Sequence, residues 1–222
     1  MRYQDRYDAG RRLAGALSGF ADRPDVIVLG LPRGGVPVAF EVARALRAPM
    51  DVFVVRKLGV PGHPELAMGA IASGGVRVIN EDLLEELGIP QTAVDEISAR
   101  ENLELERRDR LYRGDRSLPA LRDRTVVLVD DGLATGATME AAVAAVRLHR
   151  PARVVVAAPV GAKETCQRLS TVADETICAQ CPEPFQAVGL WYLRFDQTTD
   201  EEVIELLRQQ APRGAGTHST PS

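Results

Sequence analysis

The residues best suited to chemistry in this 222-residue chain lie in VVLVDDGLATGATM, residues 126–139. Asp130 and Asp131 follow an apolar run, and their carboxylates can accept hydrogen bonds from the hydroxyls of a ligand. Successive side chains of a strand point in opposite directions, so the two acids cannot share one ligand atom. One carboxylate is expected to reach a ligand hydroxyl, while the other orients backbone or a metal-bound water.

A phosphate-binding loop is predicted directly after the two aspartates. Its small and hydroxyl residues are Gly132, Ala134, Thr135, Gly136, Ala137 and Thr138. They open a predicted helix, where unpaired N–H groups converge and the dipole favours an anion. The loop has no lysine and matches neither G-x-x-x-x-G-K-[ST] nor G-x-G-x-x-G, which disfavours those nucleotide sites. A monophosphate beside a pair of hydroxyls fits better; the alternative is an acidic strand end with a Gly-rich turn.

The elements around this motif alternate between short β-branched runs and helical patterns, which is typical of a parallel sheet with crossover helices. Strands are predicted over Val26–Leu31, Asp51–Val55, Val76–Asn80, Thr125–Asp130 and Arg153–Pro159. Helices are predicted over Val36–Arg47, Gly136–His149 and Ala162–Leu169. Ligands bind such sheets at the carboxyl ends of the strands, and the aspartate pair lies at one of these ends.

Two regions depart from this alternation. Residues 81–116 are predicted to be a helical insertion, with a short helix Glu81–Leu87 and a long charged helix from Gln91 to about Tyr112. A final amphipathic helix is predicted to start near Thr199. We expect a single domain over residues 1–210 with a core at about 21–178, and a disordered tail over 211–222, where Pro, Gly, Ser and Thr dominate.

The composition narrows the class of protein. A hydrophobic fraction of 45%, a charged fraction of 26% and a net charge of -4 are ordinary for a soluble globular protein. No apolar run approaches the ~20 residues that span a bilayer, and the first 20 residues lack the apolar core of a signal peptide. No basic cluster stands out as a footprint for nucleic acid. We therefore expect a cytoplasmic protein with neither a membrane nor a nucleic-acid partner.

Three cysteines, Cys166, Cys178 and Cys181, include one C-x-x-C pair. A zinc site would lack its other ligands, because the sequence offers neither a second pair nor a nearby histidine. We expect buried or incidental thiols here and no metal site.

The segment VVLVDDGLATGAT resembles, over its full length, the signature with which type I phosphoribosyltransferases bind phosphoribosyl pyrophosphate (PRPP). The alternating layout fits that family from about Val26 to Ile177. The resemblance implies an α/β fold with an open, mostly parallel sheet flanked by helices. It implies that Asp130 and Asp131 hold the ribose 2- and 3-hydroxyls, with Asp131 among the catalytic residues, while residues 132–138 hold the 5-phosphate. It further implies a homodimer and Mg²⁺ carried by PRPP, with either aspartate able to contact the ion through water.

The resemblance also implies a second loop that binds the pyrophosphate. The candidate is GLPRGG, in which Arg33 supplies a bidentate cation while Gly34 and Gly35 let backbone amides approach an anion. Because this loop often has a strained backbone in the family, an unusual peptide is predicted near Pro32–Gly34. The alternative is a Pro/Gly turn with a solvent-exposed arginine.

Arg56 and Lys57 end the predicted strand DVFVV and are similar to the Arg-Lys pair that precedes a mobile loop in orotate phosphoribosyltransferases. We expect both to act in catalysis by neutralising the leaving pyrophosphate. The Gly/Pro-rich segment 58–75 is predicted to be a lid that excludes water. His63 and Glu65 on this lid are candidates for substrate contact, with solvent-facing loop residues as the alternative.

In this family a variable hood built from terminal segments recognises the base, and residues 1–20 and 179–210 are the candidates here. Phe185, Trp191 and Tyr192 could stack on a planar base, although packing of the C-terminal segment is the favoured use for most of these aromatic residues. Ala134 stands where 6-oxopurine phosphoribosyltransferases have an aspartate. This difference disfavours hypoxanthine and guanine without establishing adenine.

Three functions remain open from the sequence. The first is transfer of phosphoribose between PRPP and a nitrogenous base. The second is a regulator that senses PRPP or a nucleotide without turnover. The third is a hydrolase or phosphorylase that acts on another phosphorylated ribose. The Arg-Lys pair with its lid favours turnover over sensing.

Overall fold

The computed structural model describes residues 1–210, apart from the side chains of residues 64 and 65, so the predicted tail over 211–222 lies outside the described residues. The strands are β1 Val26–Gly30, β2 Met50–Val52, β3 Val55–Val60, β4 His63–Ala72, β5 Val76–Ile79, β6 Thr125–Val129, β7 Arg153–Val160 and β8 Glu175–Gln180. The helices are α1 Arg6–Ala16, α2 Gly35–Leu46, α3 Glu81–Leu87, α4 Gln91–Arg113, α5 Ala137–Leu148, α6 Lys163–Leu169 and α7 Asp200–Gln210. Within residues 1–210, no helix combines the length and hydrophobicity needed to cross a membrane.

The main sheet is parallel throughout, with strand order β2-β1-β6-β7-β8. Val126 and Leu128 of β6 face α5 and α6, whereas Val127 and Val129 face α1 and α2. Because helices cover both faces, β1 and β6 are buried along their whole length and read as continuous apolar runs. The predicted fold class, an open and mostly parallel sheet flanked by helices, is confirmed.

A second, smaller sheet is antiparallel, with strand order β3-β4-β5. One side of its core is built with α4 and α7, through residues such as Leu58, Met68, Leu105 and Leu206. Helix α5 of the main layer also contacts all three of these strands. The small sheet is therefore held beside α5, the helix that the predicted phosphate loop opens.

Most of the segment 58–75, which was predicted to be a lid, forms strands β3 and β4 and not a loop, while its role in excluding water stays a prediction. Their hairpin turns at Gly62, whose φ of 77° suits glycine. The Gly and Pro content resembles that of a loop, but β4 pairs on both edges through main-chain hydrogen bonds. Gly69 fits because a Cβ there would lie 2.3 Å from the Val78 carbonyl oxygen. The predicted strand at 76–80 exists but belongs to this antiparallel sheet.

Two further elements, α1 and β8, were absent from the sequence prediction. Helix α1 contains Gly10 and Gly15, which lower helix propensity, yet Leu13 buries its side chain against the main sheet. Strand β8 reads ETICAQ and is only partly buried at the edge of the sheet, so it lacks the apolar run of a central strand. Tertiary packing therefore determines that α1 and β8 form, although their local sequence patterns are weak.

The predicted helical insertion is confirmed as α3 and α4, and a buried ion pair fixes the end of α4 to the main sheet. Arg113 Nε donates to Asp51 Oδ1 at 3.1 Å, and both side chains are buried. Arg113 also pairs with Asp109, one turn earlier in α4. Burial raises the pKa of Asp51, and the charge of Arg113 opposes that rise.

Candidate functional site

The two aspartates follow β6 at the carboxyl edge of the main sheet. Asp130 Oδ1 accepts a hydrogen bond from the Asp131 N–H at 2.8 Å, so its carboxylate turns back on the loop. Burial and then the neighbouring charge of Asp131 raise the pKa of Asp130 well above its ordinary value. Burial also raises the pKa of Asp131. Two poorly solvated carboxylates side by side favour hydroxyl donors or a cation as their partner.

The predicted pyrophosphate loop follows β1, which pairs with β6, so this loop lies against the aspartates. A Cβ at Gly34 would lie 2.1 Å from Asp131 Oδ2, and one at Gly35 would lie 2.6 Å from the Val129 carbonyl oxygen. At Gly35, where the neighbour is backbone, only glycine permits this approach, and at Gly34 a larger residue would displace the Asp131 carboxylate. The peptide between Pro32 and Arg33 is cis, which confirms the predicted unusual peptide.

Arg33 extends from this loop toward the amino end of α7. Its Nη1 lies 3.8 Å from Asp200 Oδ1, and the Tyr112 hydroxyl donates to the same oxygen at 2.6 Å. A long, partly exposed ion pair of this kind contributes little stability. The Arg33 guanidinium is therefore available to an anion.

The predicted phosphate loop, residues 132–138, contains Gly136, whose left-handed backbone (φ 75°) precedes α5, so the end of the loop forms the first turn of that helix. The amides of the first turn of a helix have no intrahelical acceptor, so those after Gly136 can bind an anion. Helix α6 braces this loop, because the Thr165 hydroxyl donates to the Ala134 carbonyl at 2.6 Å and Arg168 donates to the Thr135 carbonyl. The side chains of Thr135 and of Thr138, the next hydroxyl residue, are exposed.

Arg56 and Lys57 lie on β3 and make different contacts. The Arg56 guanidinium pairs with Glu101 of α4, with Nε 3.0 Å from Oε2. Lys57 lines a cleft of about 590 Å³ whose wall also includes Ala137 at the start of α5. The structure thus brings Lys57 to the side of the phosphate loop, while Arg56 has a structural partner. His63 is exposed at the start of β4, and the Glu65 side chain lies outside the described part of the chain.

Sequence reasoning missed Arg6, in the first turn of α1. Its Nε lies 2.8 Å from Asp131 Oδ2, and its Nη1 donates to the Asp196 carbonyl at 2.5 Å. Its guanidinium also stacks over the Phe195 ring at 3.9 Å. No motif marks this arginine; the only signal was that two adjacent, partly buried carboxylates need a counter-charge.

The hood segments meet over the aspartates. The Tyr192 hydroxyl donates to the Asp131 carbonyl at 2.5 Å, and its ring packs 5.5 Å from that of Tyr3. Burial and the charge of Asp131 raise the Tyr192 pKa. Phe185 and Trp191 are partly buried against the same cluster. Tyr192 therefore has a packing role, and stacking on a base stays a prediction for the hood aromatics.

A parallel sheet that carries an acidic pair, a helix-capped anion loop and a second glycine-rich loop at one edge has the architecture of a type I phosphoribosyltransferase. Comparison with known families agrees, because the phosphoribosyl transferase domain family matches residues 63–190, more than half of the chain. The chain belongs to this family.

Individual relatives extend the likeness over nearly the whole chain. Proteins from two Mycobacterium tuberculosis strains, named provisionally as phosphoribosyl transferases, are each 48% identical over 205 residues, or 92% of this chain. The chain covers 46% of their length, so it spans just under half of these curated relatives. The crystal structure of TT1426 from Thermus thermophilus is similar over 95% of this chain and 100% of that one, with 45% identity and a TM-score of 0.87.

Proposed function

We propose that this protein transfers the 5-phosphoribosyl group between PRPP and a nitrogenous base, with release of pyrophosphate in the forward direction. One observation carries the proposal: the acidic pair, the Gly34–Gly35 loop and the amino end of α5 converge at the same edge of the sheet. PRPP is a ribose with phosphate groups at both ends, so it needs hydrogen-bond acceptors for its two hydroxyls between two anion-binding sites. The acidic pair lies between the two loops and would supply these acceptors.

Each part of the site matches one part of PRPP. Asp130 and Asp131 accept hydrogen bonds from the ribose hydroxyls. The amides between Gly132 and Thr138 bind the 5-phosphate at the start of α5. The amides of the Gly34–Gly35 loop, with Arg33, bind the pyrophosphate. These roles support a transferase because the reacting anomeric carbon would then lie between the dyad and the pyrophosphate loop.

The chemistry needs charge neutralisation and no protein nucleophile. Breaking the bond to pyrophosphate leaves an oxocarbenium-like ribose and a strongly anionic leaving group, which cations near the leaving group stabilise. Lys57 is suited to this task because it has a flexible ammonium group and lines the cleft beside α5. We propose the same role for Arg56, which would have to exchange Glu101 for the ligand.

The donor set fits Mg²⁺ as the cofactor of this reaction. Asp130 and Asp131 are two carboxylates whose pKa values are raised by burial, so a divalent cation beside them would relieve an electrostatic cost. Either aspartate could hold the ion through water, as Mg²⁺ prefers to keep much of its hydration shell. When bound with PRPP, Mg²⁺ would neutralise the pyrophosphate.

The test begins with calorimetric titration of PRPP in the presence and absence of Mg²⁺, followed by pyrophosphate release over a panel of purines, pyrimidines and other ring nitrogens. Asp131→Asn should weaken PRPP binding, because a carboxylate acceptor is lost. Lys57→Ala should chiefly slow turnover. Lys163→Ala is the matched control, since Lys163 is exposed and pairs with Glu183. Unchanged turnover in Lys57→Ala would contradict the role of Lys57.

The possible outcomes separate the competing functions. Pyrophosphate release that depends on one added base supports the transferase. Tight PRPP binding without turnover on any base would identify a sensor. Release of pyrophosphate without a base would identify a hydrolase. If PRPP does not bind even with Mg²⁺ present, the proposal is wrong. Assembly as a homodimer stays a prediction, which sedimentation analysis can check.

A further inference from the structure

The three cysteines gather behind the phosphate loop. Cys166 of α6 and Cys178 of β8 form a disulfide that ties this helix to the edge strand. The Sγ atom of Cys181 lies 3.7 Å from that of Cys166, and all three sulfur atoms lie within 4.8 Å of one another. The sequence interpretation of incidental thiols therefore needs correction, since the fold assembles them into one cluster.

The cluster has a buried and an exposed end. Cys166 is only 8% exposed, and a Cβ at Gly161 would lie 2.6 Å from its sulfur, so the chain backbone closes over this side. Cys178 is half-buried, whereas Cys181 is exposed. A dissolved thiol can therefore approach Cys181 more readily than it can approach the disulfide. Cys181 is itself in contact with the disulfide.

We propose that Cys181 is the exposed end of a thiol–disulfide relay, through which an external thiol opens and closes the Cys166–Cys178 disulfide. In the first step the Cys181 thiolate attacks Cys166 Sγ. A Cys166–Cys181 disulfide forms, the bond to Cys178 breaks, and Cys178 leaves as a thiolate that takes up a proton. Exchange of this kind conserves the number of disulfides and needs no redox cofactor.

Net reduction then uses two external thiols. The first attacks the exposed Cys181 sulfur, which releases the Cys166 thiolate and leaves a mixed disulfide on Cys181. The second attacks the mixed disulfide, releases the oxidised external thiol and regenerates the Cys181 thiolate. The sum converts one protein disulfide and two external thiols into two protein thiols and one external disulfide. The same steps in reverse form the Cys166–Cys178 disulfide again.

The local charges influence how readily Cys181 reacts. Partial desolvation raises the pKa of the exposed Cys181 thiol, and the nearby Lys163 ammonium opposes this rise. Lys163 in turn pairs with Glu183, with Nζ 2.9 Å from Oε1. Because the thiolate is the reactive form, this lysine favours the relay.

The position of the relay connects it to the candidate site. Helix α6 carries Cys166 and also the two side chains that brace the phosphate loop, Thr165 and Arg168. Opening the disulfide removes the covalent tie between this helix and β8. The relay itself is independent of the proposed transferase function, because its chemistry involves only the three sulfur atoms and a thiol.

The test compares the rate at which glutathione reduces the disulfide in the unmodified protein and in Cys181→Ser. We expect the variant to react at least about tenfold more slowly, because an adjacent thiol acts at a far higher effective concentration than a dissolved one. Ala179→Ser, at an exposed position of the same CAQC segment, is the control and should react at the original rate. Trypsin isolates Cys166 on the peptide 164–168, so its alkylation reports the reduction directly.

A second variant tests the first step without relying on rates. In Cys178→Ser, mild oxidation should give a Cys166–Cys181 disulfide that joins two tryptic peptides. Equal reduction rates in the unmodified protein and Cys181→Ser would overturn the proposal, as would failure of Cys178→Ser to form that bond. The proposal is also overturned if the reduced protein holds one tightly bound zinc ion that prevents reoxidation, since the cluster would then be a metal site.

Discussion

Replacing Asp130 by asparagine should stabilise the folded protein at neutral pH. The Asp130 carboxylate is poorly solvated and lies beside the charged Asp131, and both effects raise its pKa. Asparagine has nearly the same shape and keeps the oxygen that accepts the Asp131 N–H. The substitution therefore removes a charge without removing the hydrogen bond.

The direction in which stability changes with pH follows from the number of protons bound in the folded and unfolded states. Because the pKa of Asp130 is higher in the folded protein, the folded state binds more protons than the unfolded state between the unfolded and folded pKa values. Stability thus falls as pH rises through this window, and above it the charged aspartate is a net cost. Relief of such a cost at a functional site is typically worth about 0.5 to 2 kcal/mol. For a chain of this size each kcal/mol raises Tm by about 2 to 4 °C.

The measurement is urea unfolding of both proteins over a series from about pH 8 down to about pH 4. The stabilisation of Asp130→Asn should be greatest at the alkaline end and should vanish as Asp130 becomes protonated in the folded protein. Asp115→Asn, at an exposed position, should show no such gain. A variant that is less stable at neutral pH, or a gain that does not change with pH, would refute the reasoning.

Three further substitutions have expected outcomes in the same unfolding assay. Gly34→Ala should cost about 1 to 3 kcal/mol through overpacking, since its Cβ would meet a carboxylate oxygen at 2.1 Å. Gly15→Ala, with no atom near the new Cβ, is its control and should be neutral or gain up to about 1 kcal/mol from helix propensity. Arg6→Ala should cost about 1 to 3 kcal/mol, because the second aspartate of the dyad loses its charged donor. Asp51→Ala should cost about 3 kcal/mol by removing the buried carboxylate that accepts from Arg113, which would keep only Asp109 as a charged partner; a loss below about 1 kcal/mol would contradict this reading of the ion pair.

The parts of the fold that could be predicted from the sequence are those whose local pattern and tertiary environment agree. Strands β1, β6 and β7 are buried on both faces, so their apolar runs mark them directly. Strand β4 was missed because its Gly and Pro residues resemble those of a loop, whereas its stability comes from pairing with two neighbouring strands. Main-chain hydrogen bonds do not depend on the type of side chain. Where a close approach requires glycine, as at Gly69, the residue type therefore does not indicate a strand.

In the candidate site, too, some residues could be predicted from the local sequence and others could not. Asp130, Asp131 and the loop after them are contiguous in sequence, so one segment contained both the proposed diol acceptor and the proposed phosphate loop. The contact between this segment and Gly34 follows from the pairing of β1 with β6, a strand order that the alternation of elements does not specify. Arg6 was out of reach, because it comes from a helix with a weak pattern and is 125 residues away from its partner. A charged partner from a distant segment depends on tertiary packing, which a short stretch of sequence does not reveal.

The contacts of Arg6 explain how the same acidic pair can be stable without a ligand and receptive to one. Even with the guanidinium 2.8 Å away, burial still raises the pKa of Asp131, so the pair is only partly compensated. Arg6 also has the Asp196 carbonyl and the Phe195 ring as partners, which it can retain if Asp131 turns to a ligand. The hydroxyls of a sugar diol would then replace the Arg6 guanidinium as hydrogen-bond donors to Asp131. Arg6 would still keep its other partners. Because these contacts come from the segments 1–20 and 179–210, we expect ligand binding at the aspartates to be coupled to the position of the hood.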